Sequence, residues 1–142
     1  MCSSKIKICG IKNIHTLDCC IENKINFYGL IFYKKSPRYI AYNESLPLIE
    51  YSKNKNINSV GVFVNEKRNF LCELTKNLKL DYLQLHGQED NEYIKYIKRY
   101  NEIKIIKVIS IKSHEDIKKI KNFPDTDFFL FDYKPNPDEM PG

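Results

Sequence analysis

Tryptophan is absent from the 142 residues, glycine occurs five times and arginine three times. So little glycine leaves no phosphate-cradling loop: neither a G-x-G-x-x-G run nor a Walker signature follows the first apolar stretch, which weakens a nucleotide-binding reading. Five cysteines (Cys2, Cys9, Cys19, Cys20 and Cys72) form no C-x-x-C pair and no Cys/His ligand spacing. An odd number without a framework argues for reduced thiols rather than disulfides or a zinc site. No apolar run approaches the ~20 residues of a membrane span. Lys5 and Lys7 interrupt the first hydrophobic stretch, so it lacks the apolar core of a secretory signal. A cytoplasmic address with no membrane partner is expected.

The net charge is +5, yet the lysines are interleaved with Glu and Asp and form no basic stripe. That distribution argues against nucleic acid as a partner and suits an anionic small molecule. With 42% hydrophobic residues the chain can bury one core, and a single domain over 1–142 is expected.

Hydrophobic periodicity repeats about every 25 residues, short β-rich runs alternating with helix-spaced polar segments. Strands are expected at Lys5 to Cys9, Phe27 to Tyr33, Ser59 to Val64, Tyr82 to His86, Lys104 to Ser110 and Asp127 to Asp132. Helices are expected at Ile14 to Asn23, Ser45 to Lys55, Glu66 to Asn77, Asn91 to Tyr100 and Ser113 to Lys121, with capping signals at Asn65-Glu66, Asp90 and Ser113. This β-α order without hairpins requires parallel strands and right-handed crossovers. It fits either an open doubly wound sheet or part of a (β/α)8 barrel.

Polar residues just past buried strands are where parallel α/β proteins keep their chemistry. Lys7 and Cys9 share a face of the first strand, where a nearby ammonium favours thiolate and so a base or nucleophile; an inert buried cysteine is the alternative. In the sixth strand Phe128, Leu130 and Asp132 face inward, and enclosure among aromatics would raise the carboxyl pKa toward that of a general acid; a loop-fixing Asp is the alternative. Arg38, after Pro37 in the loop beyond the second strand, can grip a carboxylate in bidentate fashion. Gln84 and His86 share a face of the fourth strand, and His86 either meets a ligand or supports the barrel top. Lys107 should point into the barrel interior and pair with an acidic neighbour. His15 and His114 sit at helix starts, where capping or solvated roles are expected.

Together KICGI, FYKKSPR, GVFV, LQLHGQED and FLFD, in this order and spacing, resemble phosphoribosylanthranilate isomerase of tryptophan biosynthesis over essentially the whole chain. The resemblance implies an α/β parallel (β/α)8 TIM barrel, of which these residues cover about the first six strands. It implies an isomerase that performs an Amadori rearrangement of N-(5-phosphoribosyl)anthranilate to 1-(2-carboxyphenylamino)-1-deoxyribulose 5-phosphate without metal or organic cofactor. Cys9 then matches the general base at the sugar C2 and Asp132 the general acid at the ribose ring oxygen. Arg38 matches the arginine on the anthranilate carboxylate, His86 a histidine near the substrate, and Lys7 an orienting or electrostatic lysine. Lys12 departs from the small hydroxyl residue more usual there.

Pro141-Gly142 resembles the start of the family's Pro-Gly-Gly-Thr-Gly run, which precedes two more strands and their phosphate site. An incomplete barrel with the catalytic pair retained is therefore expected, associating through open edges as a homo-oligomer or with a complementary barrel fragment. Three other readings stand beside it: a non-catalytic remnant or split half-barrel, another phosphosugar barrel enzyme, and a flavodoxin-like binding module.

Overall fold

The computed structural model describes residues 4–133, which alternate six strands with helices. The order is β1 (Lys7–Cys9), α1 (Ile14–Glu22), β2 (Phe27–Ile31), α2 (Tyr42–Ser52), β3 (Asn58–Phe63), α3 (Arg68–Leu78), β4 (Tyr82–Leu85), α4 (Asn91–Tyr100), β5 (Lys104–Ile111), a 3₁₀ helix (His114–Asn122) and β6 (Phe128–Tyr133). Pro141 and Gly142 lie outside the described residues, as does Cys2. All six strands are parallel, and each pairs with the next in sequence order. An open doubly wound sheet reverses its strand order at a switch point, whereas an unbroken order is that of a barrel wall. The flavodoxin-like alternative is therefore set aside.

Period two sorts the side chains between two faces. Val60, Tyr82 and Ile106 pack with Phe27 and Leu130 on the inner face. Leu83, Leu85 and Ile105 pack outward against Leu71, Leu74, Ile94 and Ile97 of the helices. Lys107 alternates with the inward Ile106 and so belongs to the outer face, which corrects its expected direction. The acidic partner is as expected: Lys107 Nζ donates to Glu89 Oε2 at 2.9 Å, and also to the carbonyl of Gly87 at 2.7 Å. Both side chains are almost wholly buried, at 3% and 2% exposure. Glu89 completes its shell by accepting from the N–H groups of Asn65 at 2.7 Å and Gly87 at 2.9 Å.

Helix starts follow local chemistry. Asn13 caps α1 by accepting from Thr16 N at 2.8 Å, and Asp90 caps α4 by accepting from Tyr93 N at 2.8 Å. Asn65 is not the cap expected of it. It sits at φ 53° and accepts from Gln88 N through Oδ1 at 2.6 Å, tying the ends of β3 and β4 together, while α3 begins later at Arg68. The second helix begins at Tyr42, ahead of the expected Ser45, because the Glu44 carboxylate accepts from Ala41 N at 3.0 Å and closes an earlier turn. The last helical segment is 3₁₀ rather than α. None of its residues is buried, so it lacks the packed face that supports most α-helices, and its Lys118–Glu115 and Lys119–Asp116 ion pairs fall at i,i+3, the repeat of a 3₁₀ turn. No helix among the described residues is long and apolar enough to cross a membrane.

Lys107→Met leaves the Glu89 charge buried without its cation. It should destabilise the protein by about 3–5 kcal/mol in urea unfolding, with partial recovery in the Lys107→Met/Glu89→Gln double variant. Unchanged stability of the single variant would contradict the buried pair. A second test concerns Tyr28, whose hydroxyl donates to Ser52 Oγ at 2.7 Å; burial pushes this phenol up to about 12. A raised folded value means the contribution is complete below the unfolded pKa of ~10 and is lost as pH rises through the folded one. Between those limits Tyr28→Phe should lose less thermal stability per pH unit than the parent, as followed by circular dichroism.

Candidate active site

The C-terminal ends of the strands surround a cavity of about 510 Å³ whose walls include Lys7, Cys9, Arg38, Gln84, His86 and Asp132. All five residues expected at the site, with Gln84, therefore meet in one place, and that place is the mouth where a parallel barrel carries its chemistry. Its size lies within the usual range for a small-molecule pocket. Among its lining residues the fixed charges are two cations, Lys7 and Arg38, against one carboxylate, Asp132.

Cys9 closes β1 opposite Gly29 of β2. A Cβ added at Gly29 would stand 2.7 Å from Cys9 Sγ and 3.1 Å from Lys7 Nζ, so the missing side chain is the space that thiol and ammonium share. Gly10 follows with φ 90°, a conformation glycine adopts without penalty, and it lets the Arg38 stem cross close over the backbone. The Arg38 guanidinium donates through Nη1 to the carbonyl of Cys9 at 3.0 Å. The arginine after β2 is thus fastened to the end of β1 beside the thiol. Sequence reading passed over both glycines. The signal for Gly29 was there, a glycine interrupting the strand-forming run FYGLIFY, which marks a close approach of other atoms.

On the opposite wall His86 Nε2 lies within hydrogen-bond distance of Asp132 Oδ2, at 3.2 Å, joining the end of β4 to β6. The expected enclosure of Asp132 among aromatic rings is not found. Its side chain is 49% exposed and that of His86 is 36% exposed, because the carboxylate stands at the rim beyond the inward Leu130. Its immediate surroundings are an imidazole and the open mouth rather than phenyl rings. His15 lies in α1 and His114 opens the 3₁₀ helix, away from the cavity lining. Among the described residues, no three His, Cys, Asp or Glu side chains gather as metal donors.

The family model described as N-(5'-phosphoribosyl)anthranilate (PRA) isomerase matches residues 6–138. The chain belongs to the phosphoribosylanthranilate isomerase family. It is 37% identical over 139 residues to the N-(5'-phosphoribosyl)anthranilate isomerase of Rhizobium leguminosarum bv. trifolii, covering 96% of this chain and 62% of that protein. The chain thus spans less than two thirds of the length of the curated isomerases it matches. Among solved structures, phosphoribosylanthranilate isomerase from Thermotoga maritima superposes with a TM-score of 0.84 at 29% identity, over 95% of this chain and 64% of that one. A phosphoribosylanthranilate isomerase in complex with reduced 1-(o-carboxyphenylamino)-1-deoxyribulose 5-phosphate superposes with a TM-score of 0.83 at 28% identity, over 93% and 66% of the two chains.

The Gly29 contact gives a direct test. Gly29→Ala must displace Cys9 Sγ, and overpacking of this kind costs about 1–3 kcal/mol. A crystal structure of the variant should show the thiol moved with the β1–β2 register kept, alongside a lowered urea midpoint. A thiol left in place at unchanged stability would contradict the close packing.

Proposed function

We infer that the chain carries the isomerase chemistry of its family, the Amadori rearrangement of N-(5-phosphoribosyl)anthranilate. The observation that supports this best is the placement of a thiol and a carboxylate on opposite walls of one cavity, with an arginine fastened beside the thiol. Asp132 delivers a proton to the ribose ring oxygen as the C1–O bond breaks, and the ring opens to a Schiff base. Cys9 then removes the proton from C2, giving an enolamine that tautomerises to the ketone. General acid–base steps of this kind contribute about 10²–10⁴-fold each when the groups are held in place.

Arg38 is suited to the anthranilate carboxylate, since its planar fork matches that group and one of its nitrogens, Nη1, is anchored on the Cys9 carbonyl. Lys7 adds positive charge on the same wall, and the cationic balance of the lining favours a substrate with carboxylate and phosphate groups. His86 supports Asp132 through the Nε2 bond. A non-catalytic remnant of the family would keep the same folded cavity without turnover. The reading carries with it a cytoplasmic address, where a free thiol such as Cys9 persists. Association with a second copy or a complementary fragment belongs to the same proposal, since among the described residues β1 and β6 each pair on one side only.

Turnover of N-(5-phosphoribosyl)anthranilate, followed by the loss of its fluorescence, tests the assignment. Cys9→Ala and Asp132→Asn should each lower kcat by about 10²–10⁴-fold with circular dichroism unchanged. Arg38→Met should instead weaken binding of reduced 1-(o-carboxyphenylamino)-1-deoxyribulose 5-phosphate by about tenfold or more, the loss of a charge-assisted hydrogen bond. Parent-level turnover in either of the first two variants would overturn the reading.

A further inference from the structure

The geometry points to Gln84 as a positioning residue that fixes the tautomer of His86 and thereby the donor facing Asp132. Gln84 is 3% exposed in β4, and its Nε2 approaches His86 Nδ1 at 3.5 Å. On the far side of the ring, Nε2 of His86 lies 3.2 Å from Asp132 Oδ2. An amide N–H directed at Nδ1 requires a lone pair there. The neutral ring must then carry its proton on Nε2, where it meets the carboxylate.

Amide orientation therefore decides what Asp132 sees. If the Gln84 amide were turned over, its oxygen would face Nδ1 and select the Nδ1–H tautomer, leaving a lone pair opposed to the Asp132 carboxylate. The orientation found keeps the nitrogen toward His86 while Gln84 Oε1, also buried, has no partner among the described residues. An unpaired buried oxygen is costly. The side that is satisfied is the one that serves the imidazole.

This arrangement helps an acid at Asp132. When Asp132 gives its proton to a leaving oxygen, negative charge appears on the carboxyl group, and the Nε2–H of His86 already points at Oδ2 to receive it. Donors preorganised toward developing charge stabilise it without further reorganisation. Gln84 acts through His86 and touches neither reacting group. The effect on turnover rests on the isomerase reading, whereas the tautomer itself does not.

Nitrogen-15 NMR of histidine-labelled protein separates the two. The neutral His86 ring should show Nε2 protonated and Nδ1 bare, and should keep this pattern in Asp132→Asn, where Gln84 alone selects it. In Asp132→Asn/Gln84→Met the pattern should relax to a mixture of tautomers. In Gln84→Glu a carboxylate replaces the amide donor, and both ring nitrogens should be protonated at neutral pH. An unchanged circular dichroism spectrum reports correct folding, and if the double variant fails to fold the glutamate variant decides alone. A mixture in Asp132→Asn, a pure Nε2–H form in the double variant, or a bare Nδ1 in Gln84→Glu would overturn the assignment. In the isomerase assay Gln84→Met should lower kcat about tenfold with KM little changed, the scale of one hydrogen bond to a charged group. A parent without turnover would count against the isomerase reading and leave the tautomer result standing.

Discussion

Glu89 is the knot on which the strand ends depend. Its carboxylate accepts from the N–H of Asn65 after β3, from the N–H of Gly87 after β4, and from the ammonium of Lys107 on β5. An isolated charge buried this deeply would be strongly unfavourable, and its opposite charge alone would hardly compensate. Here each oxygen has defined donors, and Lys107 returns a bond to the Gly87 carbonyl. Three neighbouring strands of a parallel sheet have no hairpins to set their ends level. The buried pair does this instead, and it fixes the backbone one residue beyond His86.

That constraint explains why the His86–Asp132 wall can be built on an exposed rim. His86 and Asp132 are each partly open to solvent, where a lone ion pair is worth little and flexible side chains wander. Their positions are set from below: the end of β4 by the Glu89 knot, and β6 by continuous pairing with β5 from Phe128 to Tyr133. The hydrogen bond between them then forms between groups already brought together by the sheet.

How much of this could be read from residue order varies with the kind of interaction. Parallel pairing, the inward face of Lys7 with Cys9, and that of Leu130 with Asp132 follow from period-two alternation and short β-α connections, whereas the unbroken strand order was implied only by the family resemblance; the structure agrees with each. The direction of Lys107 did not follow. In β5 the residues on both faces are apolar, with Ile105 and Ile109 on one and Ile106 and Val108 on the other, so a strand buried on both sides gives no cue to which layer a single lysine enters. Asn65 looked like a cap because caps are recognised from neighbours in sequence, whereas its partner, Gln88, lies 23 residues away. The surroundings of Asp132 were misjudged for a related reason, since alternation assigns a face but not a depth.

The two walls of the cavity are built independently, and this bears on how their chemistry can be tuned. Cys9, Lys7 and Arg38 are arranged by β1 and β2, through the space beside Gly29 and the bond from Arg38 to the Cys9 carbonyl. Asp132, His86 and Gln84 are arranged by β4 and β6, through side-chain hydrogen bonds. No described hydrogen bond crosses from one set of side chains to the other. Under the proposed isomerase reading, a base at Cys9 and an acid at Asp132 would benefit from that separation, because a direct bond between them would couple their titrations. The sheet supplies the fixed distance, and each wall is positioned through neighbours the other does not share.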